Sequence, residues 1–501
     1  MNNIKFEKGS FRDPTGNIFY KDGRVYRLIN DFGLDQYNSL KNANIIKESI
    51  DKKFLIPSKE IKFENETNEI LINKIIIEHQ KINYISYPYE WSFDQLKDAA
   101  IHHLEFHEFL LKKNFTLTDG SAYNIQFIGT KIYFIDLLSL KKYDEGEYWV
   151  AHKQFCENFL NPLILKSMRN VDFNNWFRGN LEGISTKDLN SILSLKDKLS
   201  LNMLTHVVLL NYFDQKVLND KKIDLKKIKK KKLSKKAFLL ILKNLKKFIS
   251  KLKLRKSKTV WDDYSKINTY DTKEEGLKKK IVSEFASKNK FKSLLDLGCN
   301  NGIYSRICLQ NGCDQVIGFD YDLNTINEGY LNAKKENLNF LPLYFDATNP
   351  SSDLGWYQNE RKGFMNRINF SGMISLAFEH HIAIAKNVPL EQTIKWLTET
   401  APHGLIEFVP KEDETVKRVF WSGESIFCPT PPHWSTKENG RIPLFLGGIN
   451  VQRSAAGGGD GVKVVVVVVG AVVVVTRDVV VLGAVVVVTG RVDGTNFVVP
   501  F

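Results

Sequence analysis

The sequence predicts an α/β protein in which a doubly wound, Rossmann-like parallel sheet occupies the C-terminal half and an α+β domain precedes it. Two observations support this fold class. From about residue 290 onward, apolar runs that end in a glycine turn or an acid alternate with helical segments, as in consecutive βαβ units. The chain has 501 residues, which is too long for one hydrophobic core. We therefore expect an α+β domain over 1–220, a lysine-rich helical connector over 221–258 and the parallel-sheet domain over 259–428.

The first strand and turn of the parallel-sheet domain are the most informative segment of the chain. Residues 293–302 read SLLDLGCNNG, an apolar strand that leads into Gly298 and Gly302, and 303–310 then opens a helix. Backbone N–H groups at such a turn can approach a ligand closely. A dinucleotide site needs three glycines spaced G-x-G-x-x-G, which this turn lacks, and Asp296 would repel a diphosphate. The turn therefore favours a cationic cofactor with an amino-acid tail.

Two further predicted strands end in acids. QVIGFD is a strand that ends in Asp320, which Tyr321 follows. LPLYFDA contains the next strand, which ends in Asp346. With these acids in place, DLGCNNG resembles the first motif of the class I S-adenosylmethionine-dependent methyltransferases. The resemblance implies S-adenosyl-L-methionine as the cofactor, with Asp320 at its ribose and Asp346 at its adenine. The cofactor contacts that it assigns are Asp296, Gly298, Cys299, Asn300, Gly302, Asp320, Tyr321 and Asp346. The alternative is that the three acids only cap helices.

The catalytic candidates follow the fourth predicted strand, FSGMISLAFEHH. Ligands of this fold class bind at the carboxyl ends of the strands, so we expect Glu379, His380 and His381 at the reacting group. A base is needed only if the acceptor loses a proton, and a histidine with a pKa near neutrality, tuned by Glu379, suits that role. We favour His380 and expect one of the two histidines to be structural.

A helix over 389–400 and a fifth strand ending near Glu407 complete the predicted parallel sheet. Glu407 is a minor candidate for orienting an acceptor or for pairing with the Lys411 region. KEDETVKR then starts another helix. After about Cys428 the sequence departs from the expected final helix and antiparallel strand pair, and loss of those strands would leave the sheet with an unpaired edge.

The amino-terminal domain opens with a predicted hairpin and continues into a helix. Asp22-Gly23 stands between two alternating strands and is a type I′ turn sequence. After Pro88 we expect a helix with one apolar face, preceded by three aromatic residues that pack in the core. The face comprises Leu96, Ala100, Leu104 and Leu110, and the aromatic residues are Tyr87, Tyr89 and Trp91.

Metal ligation is not expected from this sequence. His103 and His107 have the spacing of a metal pair on a helix, but no third ligand accompanies them, and exposed helix histidines are ordinary. The five cysteines form no C-x-x-C pair and show no matching histidine spacing. We therefore expect neither a metal site nor a disulfide framework.

A second informative segment, LTDGSAYNIQFIGTKIYFIDLLS, lies in the amino-terminal domain. The order and spacing of Asp119, Asn124 and Asp136 resemble the catalytic and metal-binding residues of kinase-like phosphotransferases. Leu117 stands where the catalytic-loop histidine is expected, Leu137 follows Asp136, and neither a glycine-rich loop nor a phosphate-binding lysine is evident upstream. A degenerate kinase-like module, an unrelated α+β domain and an active kinase all remain open.

The basic charge of the chain is concentrated in one segment. Of the net charge of +14, residues 221–258 contribute 18 Lys or Arg against one acid, so the remainder of the chain is not basic. Within this segment Phe238, Leu242, Leu245, Ile249 and Leu252 recur at helical spacing, which predicts an amphipathic helix. The helix either docks on a neighbouring domain or contacts an anionic membrane or RNA weakly through Lys221–Lys258.

The last stretch, 447–501, differs in composition from everything before it. It consists mainly of Val, Gly and Ala and contains GAVVVVT twice. Its apolar runs are too short to span a bilayer singly. We interpret it as a non-native, aggregation-prone tail whose removal leaves cofactor binding intact. Because the amino terminus lacks an apolar signal core, we expect a cytoplasmic protein.

Several long motifs together carry a wider resemblance. SYPYEWSFDQLKDAA, LTDGSAYNIQF, WVAHKQFCENFL, LAFEHH and IEFVPKEDETVKR resemble a bacterial family of class I S-adenosylmethionine-dependent methyltransferases related to a nodulation protein. This resemblance implies transfer of a methyl group to an O or N nucleophile on a small metabolite or glycan. The alternatives are a kinase-like phosphotransferase and a non-catalytic binding scaffold. A nicotinamide enzyme is disfavoured by the missing third glycine.

Overall fold

The computed structural model describes residues 4–63, 70–219, 232–255 and 272–407, together with three short strands between 466 and 488. The chain divides into two compact units. The first unit comprises Met1–Thr259, Tyr330–Lys335 and Ser351–Arg367, and the second comprises Val260–Gly329, Glu336–Pro350 and Ile368–Phe501. The helix predicted at KEDETVKR, the Lys411 region and the lysines at 221–231 lie outside the described residues.

An antiparallel sheet of five strands begins the first unit. Its strands are β1 (Lys5–Phe6), β2 (Gly16–Lys21), β3 (Arg24–Ile29), β4 (Ser58–Ile61) and β5 (Ile76–His79), in the order β1-β2-β3-β5-β4. Asp22 and Gly23 both have positive φ between β2 and β3, which confirms the predicted two-residue hairpin turn. Phe19, Tyr26 and Leu28 form a buried cluster on this sheet. Helices Asp31–Asn42 and Ile45–Asp51 connect β3 to β4.

A long helix, Phe93–Lys112, is the centre of the remainder of the first unit. It begins at Ser92, whose side chain accepts a hydrogen bond from the Gln95 backbone amide, while the Ser92 backbone amide donates to the Gln95 side chain, a reciprocal cap. The predicted apolar face is buried, and so are the three aromatic residues before the helix. Two short antiparallel pairs follow: β6 (Phe115–Leu117) with β9 (Leu140–Lys142), and β7 (Ile125–Ile128) with β8 (Lys131–Phe134).

Helical segments make up the rest of the first unit. Two of them alternate α-helical and π-helical turns: His152–Phe155, Cys156–Leu160 (π), Asn161–Ile164 and Leu165–Arg169 (π) in one, and Leu201–Met203, Leu204–Val208 (π) and Leu209–Asn219 in the other. Further α-helices are Asn174–Gly179, Thr186–Ile192 and Phe364–Arg367. Short 3₁₀ turns are Lys8–Arg12, Pro88–Glu90, Ala122–Asn124, Leu137–Ser139, Asp197–Leu199 and Trp356–Gln358.

The predicted amphipathic helix of the basic segment is confirmed as Lys235–Lys251. Its buried residues are Phe238, Leu242, Leu245 and Ile249, as its periodicity predicted. This face packs on the Phe93–Lys112 helix, where Lys246 lies 3.3 Å from Glu105 and 3.5 Å from Glu108. The apolar face of the described part is therefore used for packing inside the first unit.

The second unit is built on a parallel sheet. Its strands are β10 (Leu294–Leu297), β11 (Val316–Asp320), β12 (Phe340–Tyr344), β13 (Gly372–Ser375) and β14 (Gly404–Glu407). They are all parallel, in the order β12-β11-β10-β13-β14. The strands after β10 are added first on one side of it and then on the other, so the strand order reverses at β10. The helices between and around them are Thr272–Asn289, Ile303–Gln310, Leu323–Glu336, Glu379–Ala383 and Leu390–Thr400. This is the parallel α/β sheet that the sequence predicted.

The expectation of an unpaired sheet edge is wrong. Val472–Val475 (β16) pairs antiparallel with β14, so the edge that the missing strands would have left open is covered by valines from the tail. Val466–Val468 (β15) and Val486–Val488 (β17) form a separate antiparallel pair. The non-native origin of the tail stays a prediction. Within the described part of the chain, no helix has both the length and the apolar character that a bilayer span requires.

Candidate functional site

The turn after β10 requires glycine at two positions. Gly298 and Gly302 have φ of 81° and 86°, a region that residues with a side chain rarely adopt. A Cβ at Gly302 would overlap the ring of Phe340, and one at Gly298 would lie 3.0 Å from Cδ2 of Phe378. The turn therefore packs directly against neighbouring strand ends, and a side chain at either glycine would displace it.

Hydrogen bonds from the backbone fix this turn to the end of β11. The amides of Gly298 and Cys299 donate to the Phe319 carbonyl at 2.8 and 3.1 Å. The Asn300 amide donates to Oδ2 of Asp320 at 2.8 Å, and the Asp322 amide donates to Oδ1 of the same carboxylate at 2.9 Å. Burial raises the pKa of Asp320, and these amide donors oppose the shift. The Asp320 carboxylate is thus oriented between the two loops.

Asp296 lies inside the sheet and not at its edge. It is 2% exposed, and its Oδ2 accepts a hydrogen bond from the Ser305 hydroxyl at 2.5 Å. Burial raises the pKa of Asp296 to about 7. Ser305 is on the helix that follows the turn, so this hydrogen bond ties the helix to β10. Cys299 is also buried, and its thiol donates to the Asn300 carbonyl.

Asp346 and Tyr321 lie at the same edge as Asp320. The strand β12 ends at Tyr344, two residues before Asp346, and the intervening Phe345 amide donates to the Asp320 carbonyl at 2.8 Å. Oδ1 of Asp346 accepts from the amide and hydroxyl of Thr348 at 3.0 and 2.7 Å. Tyr321 is 61% exposed, with its ring centroid 5.8 Å from that of Tyr344. Of the three predicted acids, Asp320 and Asp346 share an edge, whereas Asp296 is internal.

The loop after β13 holds the predicted catalytic residues. Glu379 is 1% exposed, and its Oε2 lies 3.6 Å from Nδ1 of His380. The rings of His380 and His381 are 4.1 Å apart between centroids. Burial lowers the pKa of His381 to about 3, so this imidazole is neutral at physiological pH and does not have the near-neutral pKa that we expected.

Glu407 ends β14 as predicted, and among the described residues its side chain contacts a lysine that was not expected. Its Oε2 lies 2.6 Å from Nζ of Lys278, and both side chains are buried. Lys278 also lies over the Tyr304 ring at 4.9 Å from its centroid. Glu407 therefore takes part in a buried ion pair of the second unit.

One of the three kinase-spaced residues, Asp136, forms an ion pair with a cation that the sequence did not reveal. Nη1 of Arg27, in β3, lies 3.2 Å from Oδ1 of Asp136 and 3.2 Å from Oδ2 of Asp13. The Asn124 carbonyl accepts from the Ile135 amide at 2.9 Å, so the hairpin sets Asn124 beside the Asp136 loop. Burial raises the pKa of Asp136, and Arg27 opposes the shift. The sequence feature that could have indicated Arg27 is its charge within a strand whose neighbouring residues are apolar or aromatic.

His103 and His107 are core residues, contrary to the expectation that they are exposed. Both are fully buried. Nε2 of His103 lies 3.2 Å from the Asp119 carbonyl, and Nε2 of His107 lies 2.8 Å from Oγ1 of Thr116. Their hydrogen bonds connect the long helix to the loop that carries Asp119 and to β6.

The geometry defines an α/β protein whose glycine turn and strand-end acids meet at the switch point of a parallel sheet. No protein-family model matches the chain. Nodulation protein NoeA from Rhizobium meliloti (strain 1021) is 39% identical over 422 residues, which cover 84% of this chain and 88% of that protein. The chain therefore belongs to the NoeA family.

Several solved structures match part of the chain at low similarity. Monomeric WbdD is 18% identical over 30% of this chain and 35% of its own, with a TM-score of 0.23. The PH0226 protein from Pyrococcus horikoshii OT3 is 20% identical over 30% of this chain and 63% of its own, with a TM-score of 0.23. TehB from Haemophilus influenzae is 22% identical over 29% of this chain and 45% of its own, with a TM-score of 0.20. The chain thus spans less than two thirds of these proteins.

Proposed function

We propose that the protein is an S-adenosyl-L-methionine-dependent methyltransferase whose cofactor site lies at the carboxyl edge of β10, β11 and β12. The observation that carries this proposal is the Asp320 carboxylate, held by the amides of Asn300 and Asp322 beside a turn with two obligatory glycines. Ligands of doubly wound sheets bind at this edge, where the strand order reverses.

The residues present fit such a cofactor. Each oxygen of Asp320 accepts one backbone hydrogen bond and keeps a further lone pair, so the carboxylate can accept from two neighbouring ribose hydroxyls. The exposed Tyr321 ring offers a flat apolar surface for a nucleobase. Gly298 and Gly302 allow the positive-φ turn that directs the Asn300 amide to Asp320. We assign Asp296, which is buried, the role of holding Ser305 and hence the helix after the turn.

The bound cofactor would supply an electrophilic methyl group on a cationic sulfonium. The contribution of the chain is then mainly to align an acceptor, since positioning accounts for most of the acceleration in such a displacement. Where the acceptor loses a proton, we assign its removal to His380, which is partly exposed and lies 3.6 Å from the Glu379 carboxylate. His381 has its pKa lowered to about 3 and is assigned a packing role. The acceptor class that we propose is an O or N nucleophile on a small metabolite or glycan.

Isothermal titration of the full chain with S-adenosylhomocysteine tests this function. We expect binding by the wild type and its loss in Asp320→Ala and Gly298→Val. Asp314→Ala, which removes an exposed acid next to β11, is the matched control and should bind as the wild type does. Failure of the wild type to bind, or undiminished binding by Asp320→Ala, would contradict the proposal.

A second candidate function is phosphotransfer in the first unit. It is favoured by the hairpin that brings Asn124 beside the Asp136 loop, where the Asn124 carbonyl accepts from the Ile135 amide at 2.9 Å. Asp136 and Asn124 would hold the magnesium ion of a nucleotide triphosphate, and Asp119 would orient the acceptor. Calorimetry should then detect Mg-ATP binding that Asp136→Asn abolishes and Asp144→Asn, at an exposed site, preserves. A binding scaffold would bind neither Mg-ATP nor S-adenosylhomocysteine.

A further inference from the structure

Three side chains that commonly ligate metals, none of them assigned to the two sites described above, meet inside the first unit. Nε2 of His152 lies 2.8 Å from Nδ1 of His206 and 3.5 Å from Sγ of Cys156. The three donor atoms all lie within 4.8 Å of one another. Cys156 is fully buried and His206 is 4% exposed, whereas His152 is partly exposed. The cluster is therefore compact, mostly dry and open to solvent on one side.

The local helix geometry explains how these residues come together. His152 and Cys156 are four residues apart on one helical segment, so they share a face. His206 comes from a second segment, 54 positions after His152. A π-helical turn begins at Cys156, and another, Leu204–Val208, contains His206. Such turns are rare, weaken the regular hydrogen-bond ladder and occur frequently at functional sites.

We propose that His152, Cys156 and His206 form a zinc site with one open coordination position. Two imidazoles and a thiolate are ligands that zinc prefers, and three protein ligands are typical of zinc sites that keep a position for water or substrate. With Zn–N of about 2.0 Å and Zn–S of about 2.3 Å, a tetrahedral site needs about 3.5 Å between N and S and about 3.3 Å between two nitrogens.

Two of the three separations are close to this requirement, and the third, between Sγ of Cys156 and the ring nitrogen of His206, lies within 4.8 Å. The distance from Cys156 Sγ to His152 Nε2 already equals the required value. The two imidazole nitrogens at 2.8 Å must separate by about 0.5 Å, which small side-chain rotations can supply. Without a metal ion, the two imidazoles share one hydrogen bond. The signal in the sequence was the His-x-x-x-Cys spacing at 152–156, which the expectation of no metal site overlooked.

The other buried histidines and cysteines provide a contrast. Nε2 of His103 and of His107 already has a protein partner, and their ring centroids are 6.2 Å apart. Cys299, Cys308 and Cys313 belong to the second unit, and the metal-ligand cluster found among the described residues includes none of them. Cys308→Ser is therefore a matched control for Cys156→Ser, since both remove a fully buried thiol.

Cobalt titration of the full chain, stripped of metal by a chelator, tests this proposal. We expect about one equivalent of Co²⁺ to bind with the near-ultraviolet charge-transfer absorption of a thiolate ligand, and Zn²⁺ to displace it. Cys156→Ser should lose that absorption, His206→Ala should weaken binding by about tenfold or more, and Cys308→Ser should behave as the wild type.

The wild-type titration decides the proposal even if a variant fails to fold. Absence of stoichiometric Co²⁺ binding by the wild type overturns the site, and so does a thiolate absorption that survives in folded Cys156→Ser. Zinc should also raise the thermal unfolding midpoint of the wild type but not of Cys156→Ser. The three ligands come together only in the folded state, so metal binding stabilises that state. None of these readouts depends on methyl transfer or on S-adenosylhomocysteine.

Discussion

Arg367 and Glu90 form a two-point ion pair inside the first unit. Nη2 of Arg367 lies 2.5 Å from Oε1 of Glu90, and Nη1 lies 2.9 Å from Oε2. The two side chains are 3% and 5% exposed. Nη1 also donates to the Ile85 carbonyl at 2.7 Å, and the guanidinium lies over the Tyr87 ring. This pair joins the segment Ser351–Arg367 to the amino-terminal part of the same unit.

Glu90→Gln should destabilise the protein by about 3–5 kcal/mol, because it leaves the buried Arg367 charge without its counter-ion. The measurement is the free energy of unfolding from a urea titration. Lys74→Gln is the control: it breaks the ion pair of Lys74 with Asp31, whose side chains are 37% and 75% exposed, and should cost at most about 1 kcal/mol. Equal effects of the two substitutions would show that burial of the Arg367 pair has no energetic consequence.

Gly302→Ala should destabilise the second unit by about 2–4 kcal/mol. The alanine would have to keep the positive φ of this position, and its Cβ would overlap the Phe340 ring. Adding Phe340→Leu should recover part of the loss, which a double-mutant cycle on thermal unfolding detects. Gly276→Ala, in a helix with open space around the new Cβ, should be neutral or stabilising. No coupling between positions 302 and 340 would argue against the described packing of the turn.

Asp296→Asn should stabilise the protein at pH 8 and have little effect at pH 4. Burial raises the pKa of Asp296 from 3.8 to about 7, so the folded state favours the protonated acid. The stability that it contributes is complete below the unfolded pKa and is lost as the pH rises through the folded pKa, by up to about 4 kcal/mol. Asparagine has no charge and keeps an oxygen for the Ser305 hydroxyl. Unfolding midpoints measured from pH 4 to pH 8 should diverge between the two proteins, and a constant difference would refute the assignment.

The elements of the second unit were predictable because short-range patterns determine them. The apolar run before Gly298 and the helix 303–310 coincide with the observed β10 and Ile303–Gln310. The hairpin at Asp22-Gly23 likewise depends on two adjacent residues that tolerate positive φ. In these cases the residues that specify the structure are neighbours in the chain, so periodicity and turn chemistry were sufficient.

The features that the sequence did not reveal depend on distant residues. Glu90 and Arg367 are 277 positions apart, and His152 and His206 are 54 apart, so no local pattern connects them. The burial of Asp296 was also hidden, since an acid near a strand end can face either the protein interior or a ligand. Its partner Ser305, nine positions later on the next helix, indicates which of the two applies.

Hydrogen–deuterium exchange of the full chain, with and without S-adenosylhomocysteine, tests the proposed cofactor site most directly. We expect the ligand to slow exchange in peptides covering 298–303 and 320–323, because these backbone segments surround the Asp320 carboxylate. Exchange in the described helix Lys235–Lys251 should not change. No slowing at 298–303, or slowing confined to the first unit, would contradict a methyl-donor site at the glycine turn.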